Sequence, residues 1–224
     1  MKIKVFICCV CFFTVSSVFA QNWFVGGSAT LDFSVDETTA PDGSVYPTEN
    51  KRIDIYPTVG YGIDRLDFGV YPMLQFRQSE YNNGSGYSQN SEAFGIGSGL
   101  FLRYNFVSIG NFSIRGMLSL DYLYSSSETS ISSPLYTSTS EEKSHEISIN
   151  LKPVFEYRVA AHFSVYSNLG IGGIGGSYKY YSRSANSTGP TGTQDTNGSS
   201  FSFNIPSVFN IKITEFSLGF YVHF

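Results

Sequence analysis

The candidate chemistry in this 224-residue chain starts from three histidines: His145, His162 and His223. His145 lies in Glu142-Lys143-Ser144-His145-Glu146, where a hydroxyl, a base and two acids fall within five positions. By type, these could serve as nucleophile, base and orienting acid. The same run reads equally well as a hydrated loop end. A second set carries charge of both signs among apolar and small neighbours: Asp67, Arg103, Arg115 and Glu156. No cluster has metal-ligand spacing. The stretch GIGGIGG at 170–176 is not a phosphate loop, because it lies within a strand pattern and no helix follows it. The expectation is therefore no catalytic residue, no cofactor and no metal.

Residues 1–20, MKIKVFICCVCFFTVSSVFA, form a separate segment. Two lysines, an apolar stretch and Val18-Phe19-Ala20 read as a cleavable secretory signal peptide, with cleavage after Ala20. All three cysteines lie in it, which leaves no disulfide, thiolate metal site or cysteine nucleophile beyond residue 20. Of the 14 Lys and Arg, Lys2 and Lys4 fall in this segment. The remaining 12 stand against 18 Asp and Glu, formally −6, which argues against nucleic acid as a partner. Aromatic residues reach 17%, charged residues only 14%, and there are 22 glycines. An exported chain of this composition is a β protein.

The elements that must position the charges alternate with a period of two, and no sustained helical period occurs. Trp23, Val25, Ala29, Leu31 and Phe33 share one face, and Phe24, Ser28, Thr30 and Asp32 share the other. Phe94, Ile96, Leu100, Leu102 and Tyr104 oppose three glycines and Arg103. Ile147, Ile149, Leu151, Phe155 and Tyr157 oppose Glu146, Ser148, Asn150, Lys152 and Glu156. Eight such segments occur. Their connections alternate between long polar stretches, at 36–50, 78–92, 125–143 and 182–199, and tight links near 63–65, 107–111 and 158–162.

This spacing predicts an all-β, eight-stranded antiparallel up-and-down transmembrane β-barrel over 21–224, with the four long segments as extracellular loops. Membrane-crossing strands need about 9–11 residues, and these segments reach that length. A secreted β-sandwich also alternates, but it needs no aromatic residues at its strand ends. Here Trp23, Tyr61, Tyr104, Phe106, Phe112, Tyr157 and Phe163 gather at the short-turn ends. Tyr122, Tyr124, Tyr178, Tyr180 and Tyr181 gather near the long segments. Two belts suit two membrane interfaces. Pro57, Pro72 and Pro153 interrupt strands, which predicts bulges or mispairing there. Residues 201–214 alternate on odd positions and 216–224 on even ones, which predicts a bulge near Thr214-Glu215.

The leader, the eight strands, the Pro-x-x-x-Tyr pattern at 57–61 and 153–157, and the closing strand EFSLGFYVHF together resemble the outer membrane protein β-barrel domain family, OmpA-like and OmpX-like in architecture. The similarity covers 21–224 and leaves no room for a peptidoglycan-binding domain. It implies a Gram-negative cell outer membrane location, surrounded by lipid and lipopolysaccharide. It also implies biogenesis through periplasmic chaperones and the barrel-assembly machinery, which reads a closing strand such as Leu218, Phe220, Val222 and Phe224. A monomer is expected.

An eight-stranded barrel is just wide enough for its own side chains. Asp67, Arg103, Arg115 and Glu156 are expected to meet near the short-turn end as a structural ion-pair plug, because lone charges there would be costly. Asp32, Asp54, Arg77, Asp121 and Glu146 form a looser upper set. The functional reading is a non-catalytic barrel with a structural or surface-interaction role. A narrow porin-like channel, gated by the same charges, is the alternative. A lipid A-modifying enzyme is the third reading. His162-Phe163-Ser164 superficially resembles the His-x-Ser element of lipid A deacylases, but it falls at a short turn, away from the outer leaflet.

Overall fold

The computed structural model describes residues 22–39, 45–82, 86–168, 174–188, 193–204 and 217–224. The leader with its cleavage site, portions of the long segments 36–50, 78–92 and 182–199, most of 201–214 and the bulge expected at Thr214-Glu215 lie outside the described residues.

Ten strands are described: β1 (Trp23–Thr39), β2 (Val45–Ile63), β3 (Leu66–Asn82), β4 (Ser88–Ile109), β5 (Phe112–Ser132), β6 (Thr137–Ala160), β7 (Phe163–Asn168), β8 (Ile174–Ser187), β9 (Gln194–Asn204) and β10 (Ser217–His223). They make eight staves, since β7 and β8 both pair with β6, while β9 pairs with β8 and β10 with β7. All ladders are antiparallel. The ring closes through β5–β6 and through β1–β10, where Phe24 faces His223 and Thr30 faces Ser217. The closing seam extends to the last residue: Phe224 donates its N–H to the Trp23 carbonyl at 2.9 Å.

Strand alternation sorts the side chains by face. Leu100, Leu102, Leu118, Leu120, Ile147 and Ile149 point outward and stay exposed, forming an apolar band suited to hydrocarbon. Trp23 and Tyr61, with ring centroids 5.3 Å apart, and Tyr104 and Phe106, also 5.3 Å apart, rim its short-turn end. Tyr122, Tyr124, Tyr178 and Tyr180 line the opposite end, His145 among them. Tyr181 departs from the expected belt. It follows Tyr180 on the strand, so it faces inward, 5.9 Å from the Lys179 ammonium.

The long segments differ from expectation. Strands run through most of 36–50, 78–92, 125–143 and 182–199, and the true connections are short. Their Ser, Thr and Glu residues pair across strands, as in the unbroken ladder from Phe112↔Tyr157 to Ser132↔Thr137. Hydroxyl side chains suit a sheet with water on both faces, where no apolar alternation is required.

The irregularities match expectation in part: pairing lapses at Pro57 and Pro72, while the bulges lie elsewhere. Bulges occur at Asn105/Val107 and Arg158/Ala160, beside the short turns, and not at the prolines. Pro153 stays in register opposite Gly116. Between β2 and β3 the ladder lapses from 56 to 58 without a register change, because Pro57 lies opposite Pro72. The tight turns are made by Asp64 (φ 54°) and Gly110 (φ 59°), both in the left-handed region.

This topology fixes which tips share a side. In cells displaying the protein, a membrane-impermeant maleimide should label Leu135→Cys, at the β5–β6 tip, and spare Asn111→Cys, at the β4–β5 turn. Labelling of Asn111→Cys alone would reverse the orientation.

Candidate functional site

The site is built from residues on four neighbouring strands, all facing the lumen. Asp67 on β3 lies opposite Arg103 on β4, and Arg115 and Glu156 follow on β5 and β6. The structure brings the four together. Arg103 Nη2 donates to Asp67 Oδ2 at 3.0 Å, and Arg115 Nη1 donates to the same oxygen. Arg115 Nε stands 2.9 Å from Glu156 Oε2, an ion pair without hydrogen-bond alignment. Two guanidinium groups thus meet two carboxylates and the layer is neutral. Arg103 and Glu156 are only 1% and 2% exposed.

Arg103 has more donors than Asp67 can accept from. Its Nε and Nη1 lack hydrogen-bond partners. Aromatic faces take their place: the guanidinium carbon lies 4.3 Å from the Tyr221 ring, 4.8 Å from Phe24 and 5.2 Å from Phe101. Such contacts are worth about 2 kcal/mol when desolvated. Tyr166 stacks on Tyr221 at 4.2 Å, nearly parallel, and closes the cage from β7. Phe24, Phe101, Tyr166, Tyr221, Met73, Met117 and Val154 are the apolar residues that fill this region of the lumen.

A second polar layer sits above. Asp54 takes Arg52 at 2.6 Å and the Tyr56 hydroxyl at 3.1 Å. Asp121 accepts from Tyr71, from Ser119 at 3.0 Å and from Asn150 at 3.1 Å. The Tyr71–Asp121 bond joins β3 to β5 across the intervening β4. It needs Gly99, where a Cβ would lie 2.4 Å from the Tyr71 ring and 2.5 Å from Asp121 Oδ1. Sequence reading missed this bridge. Its signal was the glycine row Gly95, Gly97, Gly99 on the inward face of β4. Of the looser set, Arg77 reaches Gln75 at 3.1 Å, a neighbour of this layer.

The histidines do not assemble a catalytic group. His145 faces outward and its Nδ1 shares a 2.8 Å hydrogen bond with the Tyr122 hydroxyl. Ser144 faces inward to Ser125 at 2.7 Å, and Glu142 faces inward to Lys179 at 2.8 Å. Alternation therefore puts His145 on the opposite side of the wall from its sequence neighbours. Near the base, His223 Nε2 approaches both Ser164 Oγ at 3.0 Å and Glu156 Oε1 at 3.9 Å. A triad divides these contacts between the two ring nitrogens, whereas here both fall on one. His162 sits at the turn, with Nδ1 3.2 Å from the His223 carbonyl. Among the described residues, no group of three or more metal-ligating side chains comes together.

Removing one partner of the chain strands the others. Arg115→Ala leaves Asp67 with one partner and deprives Glu156 of its guanidinium. We expect a loss of about 3–5 kcal/mol in urea unfolding from micelles or bilayers. Arg115→Met with Glu156→Gln should lose less than Arg115→Ala, since no lone carboxylate remains at Glu156. Equal losses would mean that the ion pair carries no coupling.

No protein-family model and no curated protein matches the chain. Among solved structures it is similar to a major outer membrane protein from Thermus thermophilus, at 13% identity over 90% of this chain and 99% of that one, with a TM-score of 0.46. It is similar to neisserial surface protein A at 17% identity over 92% of this chain and 99% of that one, TM-score 0.31. It is also similar to the ferric yersiniabactin uptake receptor FyuA of Yersinia pestis at 11% identity, TM-score 0.39, over 89% of this chain but only 32% of the receptor. The chain thus spans about a third of that receptor.

Proposed function

We propose that this chain is a non-catalytic outer-membrane β-barrel, OmpA-like or OmpX-like in architecture, with a structural or surface-interaction role and a lumen closed by its own side chains. The observation that carries the reading is the neutral Asp67–Arg103–Arg115–Glu156 chain, set in the Phe24, Phe101 and Tyr221 cage. An ion crossing this layer would have to separate desolvated ion pairs and displace stacked rings, at a cost of several kcal/mol. The exposed apolar band supports placement in a bilayer, and the resemblance of leader and closing strand supports the outer membrane. Lipid and lipopolysaccharide then surround the band, and the assembly machinery meets Leu218, Phe220, Val222 and Phe224 on β10 and at its end.

The polar sheet above the outer belt is the surface available for contact with other molecules. Its outward side is acidic: Glu92 lies opposite Glu128, and Glu128 opposite Glu141. This supports a role in surface interaction over transport.

Planar-bilayer recording of the refolded protein tests the closed lumen. The expected record has no stable single-channel steps, and Arg103→Ala should introduce leak by opening the cage. Reproducible steps from the unaltered protein would favour the narrow-channel reading instead.

A further inference from the structure

The lapse between β2 and β3 has a specific cause. Ile55 faces Leu74 and Val59 faces Val70, in one unchanged register, while the three pairs between them are missing. That register sets Pro57 directly opposite Pro72. In an antiparallel ladder, alternate pairs exchange both N–H···O bonds. If 57↔72 were a non-bonded pair, the bonds would come from residues 56, 58, 71 and 73, and no pair would be lost. Loss of all three places the two prolines at one mutually bonded position, where both donors are absent.

Both carbonyls at that position therefore lack a ladder donor. Nearby hydroxyls are engaged elsewhere: Tyr56 with Asp54, Tyr71 with Asp121, and Thr58 with the Tyr56 carbonyl. On their other sides the prolines keep their neighbours, Gly27↔Pro57 and Pro72↔Ser98. Pro57 and Pro72 both face outward within the apolar band. In hydrocarbon, unsatisfied backbone groups are costly and the wall normally has none. Pro153 does not break the β5–β6 ladder, because alternation from Arg158, whose N–H bonds Asn111 on the β5 side, turns the Pro153 nitrogen away from β5.

We propose that the Pro57–Pro72 pair is a built-in break at which the wall opens first, between β2 and β3. The amides that bond across this seam on either side, those of Ile55, Val59, Val70 and Leu74, report the opening. Hydrogen exchange followed by NMR in micelles is the test. In the unaltered protein these four amides should exchange about tenfold faster than amides at the same depth in the β4–β5 ladder. Pro72→Ala restores a donor aimed at the Pro57 carbonyl, and Pro57→Ala restores the reciprocal one. Either should slow the four amides about fivefold, while Pro153→Ala leaves them unchanged. Uniform protection in the unaltered protein would overturn the proposal. So would fast exchange that neither restoring variant slows.

Discussion

The structure depends on one constraint: within the apolar band a backbone N–H or C=O is costly unless bonded inside the wall, and the Pro57–Pro72 position is the exception. Water cannot satisfy such groups within the band, and a sheet with an edge would leave a row of them unbonded. Closure of β1 on β10 answers that constraint, with seven residues of each strand in register from Phe24↔His223 to Thr30↔Ser217. Closure in turn fixes which residues face the lumen, because a shift of one residue would exchange the faces. Phe24, Tyr221 and Arg103 meet inside only because this register holds.

A closed ring of eight creates a second demand, since its narrow interior must be filled without lone charges. Two arginines, two acids and a set of rings meet it together. The rings approach closely because small residues lie beneath them. A Cβ at Gly60 would fall 2.3 Å from the Phe24 ring, and one at Gly219 would fall 2.2 Å from Tyr166. The glycines that weaken these strands locally are thus what lets the lumen pack. The polar hairpins above the band have no such interior, and there Ser and Thr take over both faces.

The period-two pattern made the staves, the two belts and the inward charges legible in the sequence. Asp67, Arg103, Arg115 and Glu156 could be set on the inner face from alternation alone. Strand ends were not legible. Ser, Thr and Glu in 125–143 read as loop because water on both faces removes the alternation that marks a strand. Partnership across strands was likewise hidden, since it needs the register. Pro57 and Pro72 were each visible as a missing donor, but not as facing one another. The Tyr71–Asp121 bridge spans three strands, and its one trace in the sequence, the inward glycine row that includes Gly99, does not name the partners. His145 stood beside Ser144 in sequence, and only the fold separated them by the thickness of the wall.

The central claim is closure of the ring in this register, and backbone NOEs between the first and last strands in micelles test it most directly. The account predicts contacts pairing Phe24 with His223, Val25 with Val222 and Ala29 with Leu218, with Phe220 directed outward. Absence of contacts between these strands, or pairing slipped by one residue so that Phe220 turns into the lumen, would contradict it.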